Sequence, residues 1–412
     1  MTLRDQVGEL LSLLDAAFPA DIVVILSDFL AHAQSAEAVA LLLADYDLQE
    51  LRPLAASDES RIVAGDPLRI NESPAGQAYQ VQVVVTVPKG DRIEVHVPVT
   101  LREERIGVLS ALLPEPVDAD VLEGLAAVGT VLAYVVLAAG RYTDLFEVAR
   151  RRRPLSLEAE VQWGLQPVRA FGGTQLALAG QLVPAYEVGG DSYDWVVNRE
   201  TVSVSNTDAM GHGLNASLLG ALAVTAMRNA RRAGLPVADR VAHADRAVQQ
   251  QFGGSQFVTS FSLDIDLRDS SAVAVNAGHP LPWRIRGGQA TPVELEVQLP
   301  IGLFEATSYV AQPFELQPGD RLALISDGVL EATPMGGDQF GEARLEAALL
   351  ATANDPPHEA VRRMVRILLD YQHGELRDDA TILVLDWHGD GARATASGAA
   401  PRRRTPSIAV ER

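Results

Sequence analysis

The sequence contains no cysteine, which excludes disulfide bonds, thiolate metal ligands and cysteine nucleophiles. Positive charge is scarce as well: 34 lysine and arginine residues stand against 54 acidic residues, for a formal net charge of −20. Nucleic acids and anionic membranes attract basic surfaces, so we expect neither as a partner. The 47% of hydrophobic residues are enough for packed cores, and the negative charge fits a soluble protein that can supply carboxylates to cations. The absence of cysteine fits the cytoplasm, which is the location we predict.

Long apolar runs are also few. The first residues include Arg4, Asp5 and Glu9, and they do not form the basic start and apolar run of a signal peptide. One stretch, 124–140, is uncharged, but it is rich in alanine and glycine and lies at the short end of the roughly 17–25 residues that span a membrane. We interpret it as a buried or dimer-forming helix and predict no membrane span.

A chain of 412 residues suggests two or three domains of roughly 150 residues each. In the first part, an alanine- and leucine-rich run predicts a helix over 35–46, and a longer apolar pattern predicts one continuous helix over 117–153. Runs of β-type residues predict strands at 80–87, 93–99 and 105–112. The predicted segments are an N-terminal helix (1–20), a sensor domain (21–145), a linker helix (146–166), a catalytic domain (167–388) and a disordered tail (389–412).

The predicted sensor domain has a Ser-Pro-Ala-Gly loop at 73–76 ahead of a strand, and the sequence VPVTLREERIGVLSAL predicts a hairpin of two strands joined by a charged turn. A sheet flanked by helices with these features resembles a GAF-type sensor domain. The sequence has no cysteine for a bilin, and His32 and His96 stand alone, which argues against haem. The pattern does not predict which ligand the domain would bind.

Residues 167–388 alternate between strands and tight turns, with helices predicted at 214–233, 236–252, 341–353 and 356–373. Strands joined by tight turns favour antiparallel sheets, with the helices packed outside them, so we predict an α+β fold. The predicted strands are 175–183, 202–206, 257–266, 272–276, 283–286, 321–326 and 381–387.

Four aspartates stand beside these predicted strands. Asp191 follows two glycines, Asp208 and Asp327 follow strands, and Asp378 precedes one. Each alone is an ordinary turn residue, but neighbouring strands would bring the carboxylates to one edge, where several anions need protons or cations to coexist. Hard oxygen ligands select Mg²⁺ or Mn²⁺, and two such ions about 3.5–4 Å apart can activate water for attack on phosphorus. The pattern therefore predicts a two-metal site that hydrolyses a phosphate ester.

Eight motifs occur in order over residues 166–388: PAYEVGGDSYD, TDAMGHG, FVTSFSLDID, NAGHP, PIGL, PGDRLALISDGVLEA, FGEARL and RDDATILVL. Together they resemble the PPM (protein phosphatase 2C-like) serine/threonine phosphatases, in particular the bacterial branch of stage II sporulation E and the sigma-factor-regulating phosphatases. The resemblance implies an α-β-β-α sandwich and two Mn²⁺ or Mg²⁺ ions. It implies as metal ligands Asp191, Asp208, the Ala209 carbonyl, Asp327 and Asp378, with Asp379 in reserve.

Further residues in these motifs are assigned other roles. His212 lies in a Gly-His-Gly turn and could protonate the leaving serine oxygen, although a structural role in the turn fits equally well. For His279 we favour a structural hydrogen bond over catalysis. We expect Asp194 to orient water or backbone near Asp191, and we expect Met210 and Trp195 to be packing residues.

These observations lead to the hypothesis of a metal-dependent protein phosphatase that is regulated by its N-terminal sensor. The family resemblance implies a phosphorylated anti-sigma-factor antagonist as substrate, within a partner-switching pathway. We expect a homodimer formed through the sensor and the linker helix. Two alternatives remain open: a catalytically silent scaffold that binds a phosphoprotein, and a two-metal hydrolase of a small phosphoester.

Overall fold

The structure is a computed structural model that describes residues 2–54, 66–184, 186, 189–373, 376 and 378–389, together with the backbone of 407–409. The chain forms two compact units, which are described separately. The first comprises Met1–Arg153 with Pro401–Arg412, and the second comprises Pro154–Ala400.

A mixed sheet with helices on both faces forms the first unit. Short 3-10 turns at Leu3–Gln6 and Pro19–Asp21 precede its first two helices. Its elements are α1 (Val7–Ala16), α2 (Ile22–Gln34), β1 (Ala38–Ala44), β2 (Glu50–Pro53), β3 (Leu68–Arg69), α3 (Pro74–Val81), β4 (Val84–Lys89), β5 (Arg92–Leu101), β6 (Glu104–Pro114), α4 (Ala119–Ala139), α5 (Leu145–Arg150) and, from the C-terminal end of the chain, β19 (Ser407–Ala409). The strand order is β19-β4-β5-β6-β1-β2-β3, antiparallel except for the β19–β4 pair.

Helices α1, α2 and α4 cover one face of this sheet. Leu41 and Val97 of the sheet are fully buried against Leu26 and Leu132 of the helices, because alternate strand residues point to the same face. Within the part of the chain that the structure describes, α4 alone is long and apolar enough to cross a membrane, and 44% of its most apolar window is buried in the protein. The close approach of α4 to β5 needs Gly129, since a Cβ there would lie 2.5 Å from the Pro98 carbonyl oxygen.

The helix predicted over 35–46 is wrong, because residues 38–44 form the central strand β1. This strand pairs with β6 on one side and β2 on the other, and nearly all of its residues are buried. A strand buried on both faces reads as a continuous apolar run, so its alanines and leucines resemble those of a helix. The preceding helix ends at Ser35, which has a left-handed backbone with φ of 55°. The strand predicted at 80–87 begins only at Val84, because α3 extends to Val81.

The continuous helix predicted over 117–153 is also wrong. Helix α4 ends at Ala139, Gly140 caps it, and α5 begins only at Leu145. The predicted linker helix 146–166 is likewise two helices, α5 and a later one at Leu157–Leu165, separated by residues that include Pro154. Proline lacks the backbone N–H that a helix interior needs, and it disfavours the helical conformation of the residue before it.

The disordered tail predicted for 389–412 is contradicted at one place. Residues 407–409 form β19, which runs parallel to the edge strand β4. Pairing of this kind covers backbone groups that an edge strand would otherwise expose. Residues 390–406 and 410–412 of the predicted tail lie outside the described residues.

The second unit contains two sheets of six strands. One has the order β15-β12-β11-β10-β9 with β16 beside β12, and the other has the order β14-β13-β17-β18-β8-β7. All strand pairs are antiparallel except β12–β15. The elements are α6 (Leu157–Leu165), β7 (Ala170–Gly172), β8 (Leu176–Val183), β9 (Ser192–Val197), β10 (Thr201–Ala209), α7 (Leu214–Arg232), α8 (Val237–Phe252), β11 (Val258–Asp266), β12 (Ala272–Ala277), β13 (Trp283–Arg286), β14 (Gln289–Pro292), β15 (Val297–Gln298), β16 (Gln312–Pro313), β17 (Arg321–Ile325), α9 (Asp327–Leu330), α10 (Gly341–Ala351), α11 (Pro357–Tyr371) and β18 (Ala380–Trp387).

The two sheets pack face to face, with helices outside. Tyr193 and Phe261 of the first sheet share a core with Leu324, Leu383 and Trp387 of the second. Helices α7 and α8 cover the outer face of the first sheet, and α10 and α11 cover that of the second. The predicted α+β fold with an α-β-β-α sandwich is therefore confirmed.

Candidate metal centre

Two of the predicted aspartates lie at one end of the first sheet. Asp208 lies within β10, whereas the sequence analysis had placed it after the end of a strand. Asp191 directly precedes β9, a strand missed in the sequence, whose first residue Ser192 pairs with Thr207. The antiparallel pairing of β9 and β10 therefore places the two carboxylates side by side in the sheet.

The other acidic motifs lie on neighbouring strands of the second sheet. Asp327 opens the short helix α9 directly after β17, and Asp379 directly precedes β18. The Ser326 N–H donates to the Thr381 carbonyl at 3.1 Å, and the Thr381 N–H donates to Ser326 Oγ at 2.9 Å. These two bonds hold the turn before α9 against the start of β18.

Hydrogen bonds between the two sheets bring both groups of carboxylates together. The Thr381 hydroxyl donates to Asp191 Oδ2 at 3.0 Å. The Asp379 carboxylate accepts hydrogen bonds from the N–H groups of Gly189 and Asp191, the latter at 3.4 Å. A carboxylate from the second sheet thus fastens the loop that carries an aspartate of the first.

The electrostatics of these carboxyl groups reflect burial and mutual repulsion. Asp191 is only 2% exposed, and burial together with the charges of Asp208 and Asp379 raises its pKa well above the ordinary value. Burial and then the charges of Asp327, Asp378 and Asp379 raise the pKa of Asp208 to about 7. Burial raises the pKa of Asp379 to about 6 and also raises that of Asp327. Acidic groups that resist ionising together are the groups whose charges a bound cation would compensate.

The donor chemistry of this cluster fits divalent cations with a preference for oxygen. Carboxylate and carbonyl oxygens are the ligands of Mg²⁺ and Mn²⁺. The Ala209 carbonyl is accessible to this loop because Gly190 has no side chain; a Cβ there would lie 2.3 Å from the Ala209 oxygen. Among the residues that the structure describes, no group of three acidic or histidine side chains forms a ready-made metal cage.

Asp378 and Asp379 differ in their surroundings. The Asp378 carboxylate is exposed and accepts the Asp379 N–H at 2.9 Å, whereas the Asp379 carboxylate is held by backbone N–H groups of the Gly189–Asp191 loop. The exposure of Asp378 leaves its carboxylate oxygens available to a cation. The backbone hydrogen bonds of Asp379 give its carboxylate a structural role. Asp378 therefore stays the predicted ligand and Asp379 the reserve.

A buried glutamine that the sequence did not single out also holds this loop. Gln162 of α6 is fully buried, and its Nε2 donates to the Gly189 carbonyl at 2.9 Å. Ser217 of α7 donates to the same oxygen at 2.6 Å. Nothing in the local pattern of α6 distinguishes Gln162 from a solvent-facing glutamine, because its partner is 27 residues away in the chain.

The two histidines have contrasting positions. His212 is exposed in the turn between β10 and α7, flanked by Gly211 and Gly213 with φ of 93° and 72°. His279 is buried, and its Nδ1 lies 2.9 Å from Thr259 Oγ1. Burial lowers the pKa of His279 to about 3, so its ring stays neutral, in keeping with the structural role favoured by the sequence.

Asp194 does not have the predicted role near Asp191. Its buried carboxylate accepts hydrogen bonds from Arg228 at 2.8 Å and Arg231 at 2.7 Å, which join β9 to α7. The side chain of Asp194 is therefore part of an ion-pair cluster between a strand and a helix. Alternation explains this position, because strand residues separated by an odd number of positions point to opposite faces.

The packing roles predicted for Met210 and Trp195 have different outcomes. Met210 is 49% exposed, so the packing role predicted for it is wrong. The Trp195 ring packs at 5.8 Å from that of Phe171, and its Nε1 donates to the Val168 carbonyl at 3.1 Å, which confirms its packing role.

Comparisons with known proteins match this part of the chain. Residues 198–388 match the family model of stage II sporulation protein E. Phosphoserine phosphatase RsbU of Bacillus subtilis is 25% identical over 232 residues, which are 56% of this chain and 69% of RsbU. The crystal structure of the RsbU and RsbW domains of Rv1364c from Mycobacterium tuberculosis covers 54% of this chain and 66% of its own, with 22% identity and a TM-score of 0.47. The catalytic domain of the phosphatase PstP, solved with two manganese ions, covers 52% of this chain and 98% of its own, with 14% identity and a TM-score of 0.40.

The family match and the observed fold concern the same unit. The matched residues include Asp208, Asp327, Asp378 and Asp379, and the match ends one residue after β18. Residues 198–388 of this chain therefore match the stage II sporulation protein E family, and the chain is similar to a phosphoserine phosphatase of the PP2C-like type.

Proposed function

We propose that this protein hydrolyses phosphoserine or phosphothreonine in a partner protein, with two Mn²⁺ or Mg²⁺ ions bound at the carboxylate cluster. The observation that carries the proposal is the meeting of acidic groups from both sheets, joined by the Thr381 hydroxyl on Asp191 and by Asp379 on the Gly189–Asp191 loop. Carboxyl groups with raised pKa values at such a junction mark it as a candidate functional site.

Different side chains at this site would bind the ions and transfer a proton. Asp191, Asp208, Asp327 and Asp378, with the Ala209 carbonyl, would hold the ions. When bound, such ions supply Lewis-acid compensation of phosphoryl charge and activation of water near neutral pH. His212 is exposed beside the cluster, where it could donate a proton to the leaving serine or threonine oxygen.

The proposal extends to the substrate protein and to regulation by the first unit. The relative RsbU is named a phosphoserine phosphatase, and by analogy the substrate here would be a phosphorylated anti-sigma-factor antagonist in the cytoplasm. The first unit would act as a GAF-like sensor, with dimer formation through that unit and the linker. A catalytically silent phosphoprotein-binding scaffold and a small-phosphoester hydrolase are the two alternatives.

Removal of metal tests the activity of the full chain directly. With EDTA we expect the hydrolysis of p-nitrophenyl phosphate to fall to background, and with added Mn²⁺ or Mg²⁺ we expect it to return, since the proposed ions supply the charge compensation and the activated water. A phosphoserine peptide should be hydrolysed and a nucleotide should not. No turnover with either metal would favour the scaffold, and faster nucleotide hydrolysis would favour the small-phosphoester hydrolase.

Replacing Gln162 tests how strongly α6 controls the site. In Gln162→Ala, the Gly189 carbonyl loses one of its two side-chain donors, and the loop that carries Asp191 is less well positioned. We expect kcat to fall about ten- to a hundredfold, the range that small misplacements of catalytic groups produce. The Mn²⁺ concentration needed for half-maximal activity should rise as well, which a change in substrate binding alone would not cause.

The matched control for this variant is Glu160→Gln, which changes an exposed side chain on the same helix. It should leave kcat and the Mn²⁺ requirement unchanged. Equal kinetics in Gln162→Ala and the unmodified protein would show that the α6 contact does not position the metal loop.

A further inference from the structure

A cavity of about 520 Å³ lies in the first unit, on the sheet face opposite to α1, α2 and α4. At one end of this face, α3 buries Leu51, Ile70, Tyr79 and Val108 in a small core. At the other end, the cavity opens above β1 and β6. Volumes of this size are typical of pockets that hold small molecules.

The floor of the cavity is apolar and built from small residues. Ala38 pairs with Leu112 and Ala40 pairs with Ser110, so all four side chains point to the same face. The opposite face of the same strands carries larger side chains, including Leu41 and Leu109, that are fully buried. The alanines leave a recess in which an apolar group could be buried from water.

Polar groups form the side of the cavity. Ser110, Glu94 and Lys89 line it, and the Lys89 Nζ lies 3.4 Å from Glu94 Oε2. His96 lies between Ser110 and Glu94, with its Nδ1 2.8 Å from Ser110 Oγ and its Nε2 3.9 Å from Glu94 Oε2. The His96 side chain is 3% exposed, and its Nε2 has no hydrogen-bond partner among the described residues. His96 is not among the residues that line the cavity; its contact holds Ser110 at the side of the cavity.

The charges around the cavity are unequal. Among the described residues that line the cavity, the charged groups are the carboxylates of Asp66 and Glu94 and the ammonium of Lys89, which is already paired with Glu94. The excess of negative charge favours a ligand with a positive or hydrogen-bond-donating head over an anion.

We propose that this cavity is a binding site for a small amphipathic amine. Its apolar body would lie on Ala38, Ala40 and Leu112, and its ammonium head would lie toward Asp66 and Glu94, within reach of Ser110. The proposal concerns the first unit and does not depend on the phosphatase activity, so its test measures binding.

The site can be tested by isothermal titration calorimetry and thermal unfolding of the full chain. Three probes of similar size that differ in the charge of the head group are used. The probes are 2-phenylethylamine, the neutral 2-phenylethanol and the anionic phenylacetate. We expect 2-phenylethylamine to bind once per chain and to raise the unfolding temperature of the first unit. We expect phenylacetate to bind at least about tenfold more weakly, because like charges at the rim repel it. No binding of the amine at millimolar concentration, or preferred binding of the anion, would overturn the proposal.

Two variants place the binding in this cavity. Ala40→Phe should fill the recess and abolish binding of the amine, and Glu94→Gln should weaken it about two- to fivefold, the loss that one rim charge pair accounts for. Glu123→Gln, which removes an exposed charge on α4 at the other face, is the matched control and should leave affinity unchanged. Because Ala40→Phe could disturb the sheet, Glu94→Gln carries the decision: unchanged amine affinity in Glu94→Gln would show that the amine binds elsewhere.

Discussion

Replacing Asp208 by asparagine is expected to lower kcat about a thousandfold or more, because loss of a metal-binding carboxylate removes several kcal/mol of transition-state stabilisation. Asp208 lies at the junction of the two sheets, and the charges of Asp327, Asp378 and Asp379 all act on it. Its replacement removes a ligand for the proposed cations with almost no change in shape. Metal-dependent hydrolysis of p-nitrophenyl phosphate measures the effect, and Asp327→Asn should behave in the same way.

Stability without metal separates loss of a ligand from loss of the fold in this variant. Folding raises the pKa of Asp208 from 3.8 to about 7, so this carboxyl destabilises the folded state increasingly as the pH rises through that interval, and fully above it. In EDTA at pH 8, Asp208→Asn should therefore unfold at the same temperature as the unmodified protein or at a higher one. Asp269→Asn, in the exposed turn between β11 and β12, is the control and should keep full activity. Retained turnover in Asp208→Asn would contradict the metal assignment.

Replacing Asp194 by asparagine is expected to destabilise the second unit by about 3 kcal/mol or more, because it leaves two arginines without their buried counter-charge. The Asp194 side chain is 5% exposed, and those of Arg228 and Arg231 are 18% and 16% exposed. Because these side chains are largely buried, water cannot fully replace the lost carboxylate as a partner of the two arginines. The cluster also fixes α7, which carries Ser217 and thereby one of the two donors to the Gly189 carbonyl.

Tryptophan fluorescence during urea unfolding measures this loss, since all four tryptophans lie in the second unit. Asp266→Asn is a matched control, because its partner Arg268 is 65% exposed and solvent already screens that pair. The control should unfold at nearly the same urea concentration as the unmodified protein. An unchanged midpoint in Asp194→Asn would show that the three-residue cluster contributes no net stability.

The fold of the second unit could be predicted largely from local patterns. The helices at 214–232 and 237–252 and the strand at 380–387 lie within a few residues of their predicted bounds. The periodicity of the two helices is strong because each has one face in a core and one toward solvent. The first unit was harder, since β1 is buried on both faces and shows no period at all.

The candidate site could be predicted as a set of residues but not as an arrangement. Glycine and aspartate in turns beside strands indicate where carboxylates stand along the chain. They do not indicate that Asp379 would bind the backbone of the Gly189–Asp191 loop, nor that Gln162 would hold the same loop from a helix. Both contacts join residues that are far apart in sequence, and no local propensity encodes them.

The sequence by itself determined the acidic character of the chain, because that depends only on composition. It also determined the alternation of the sandwich strands and the positions of the acidic motifs, because these depend on residues a few positions apart. Only the tertiary structure decided which carboxylates meet, that Asp194 serves an ion-pair cluster, that α4 ends at Ala139 and that β1 is a strand. Those outcomes depend on burial and on pairing between distant segments. Their free energies exceed the differences of a few tenths of a kcal/mol by which local propensity favours one conformation over another.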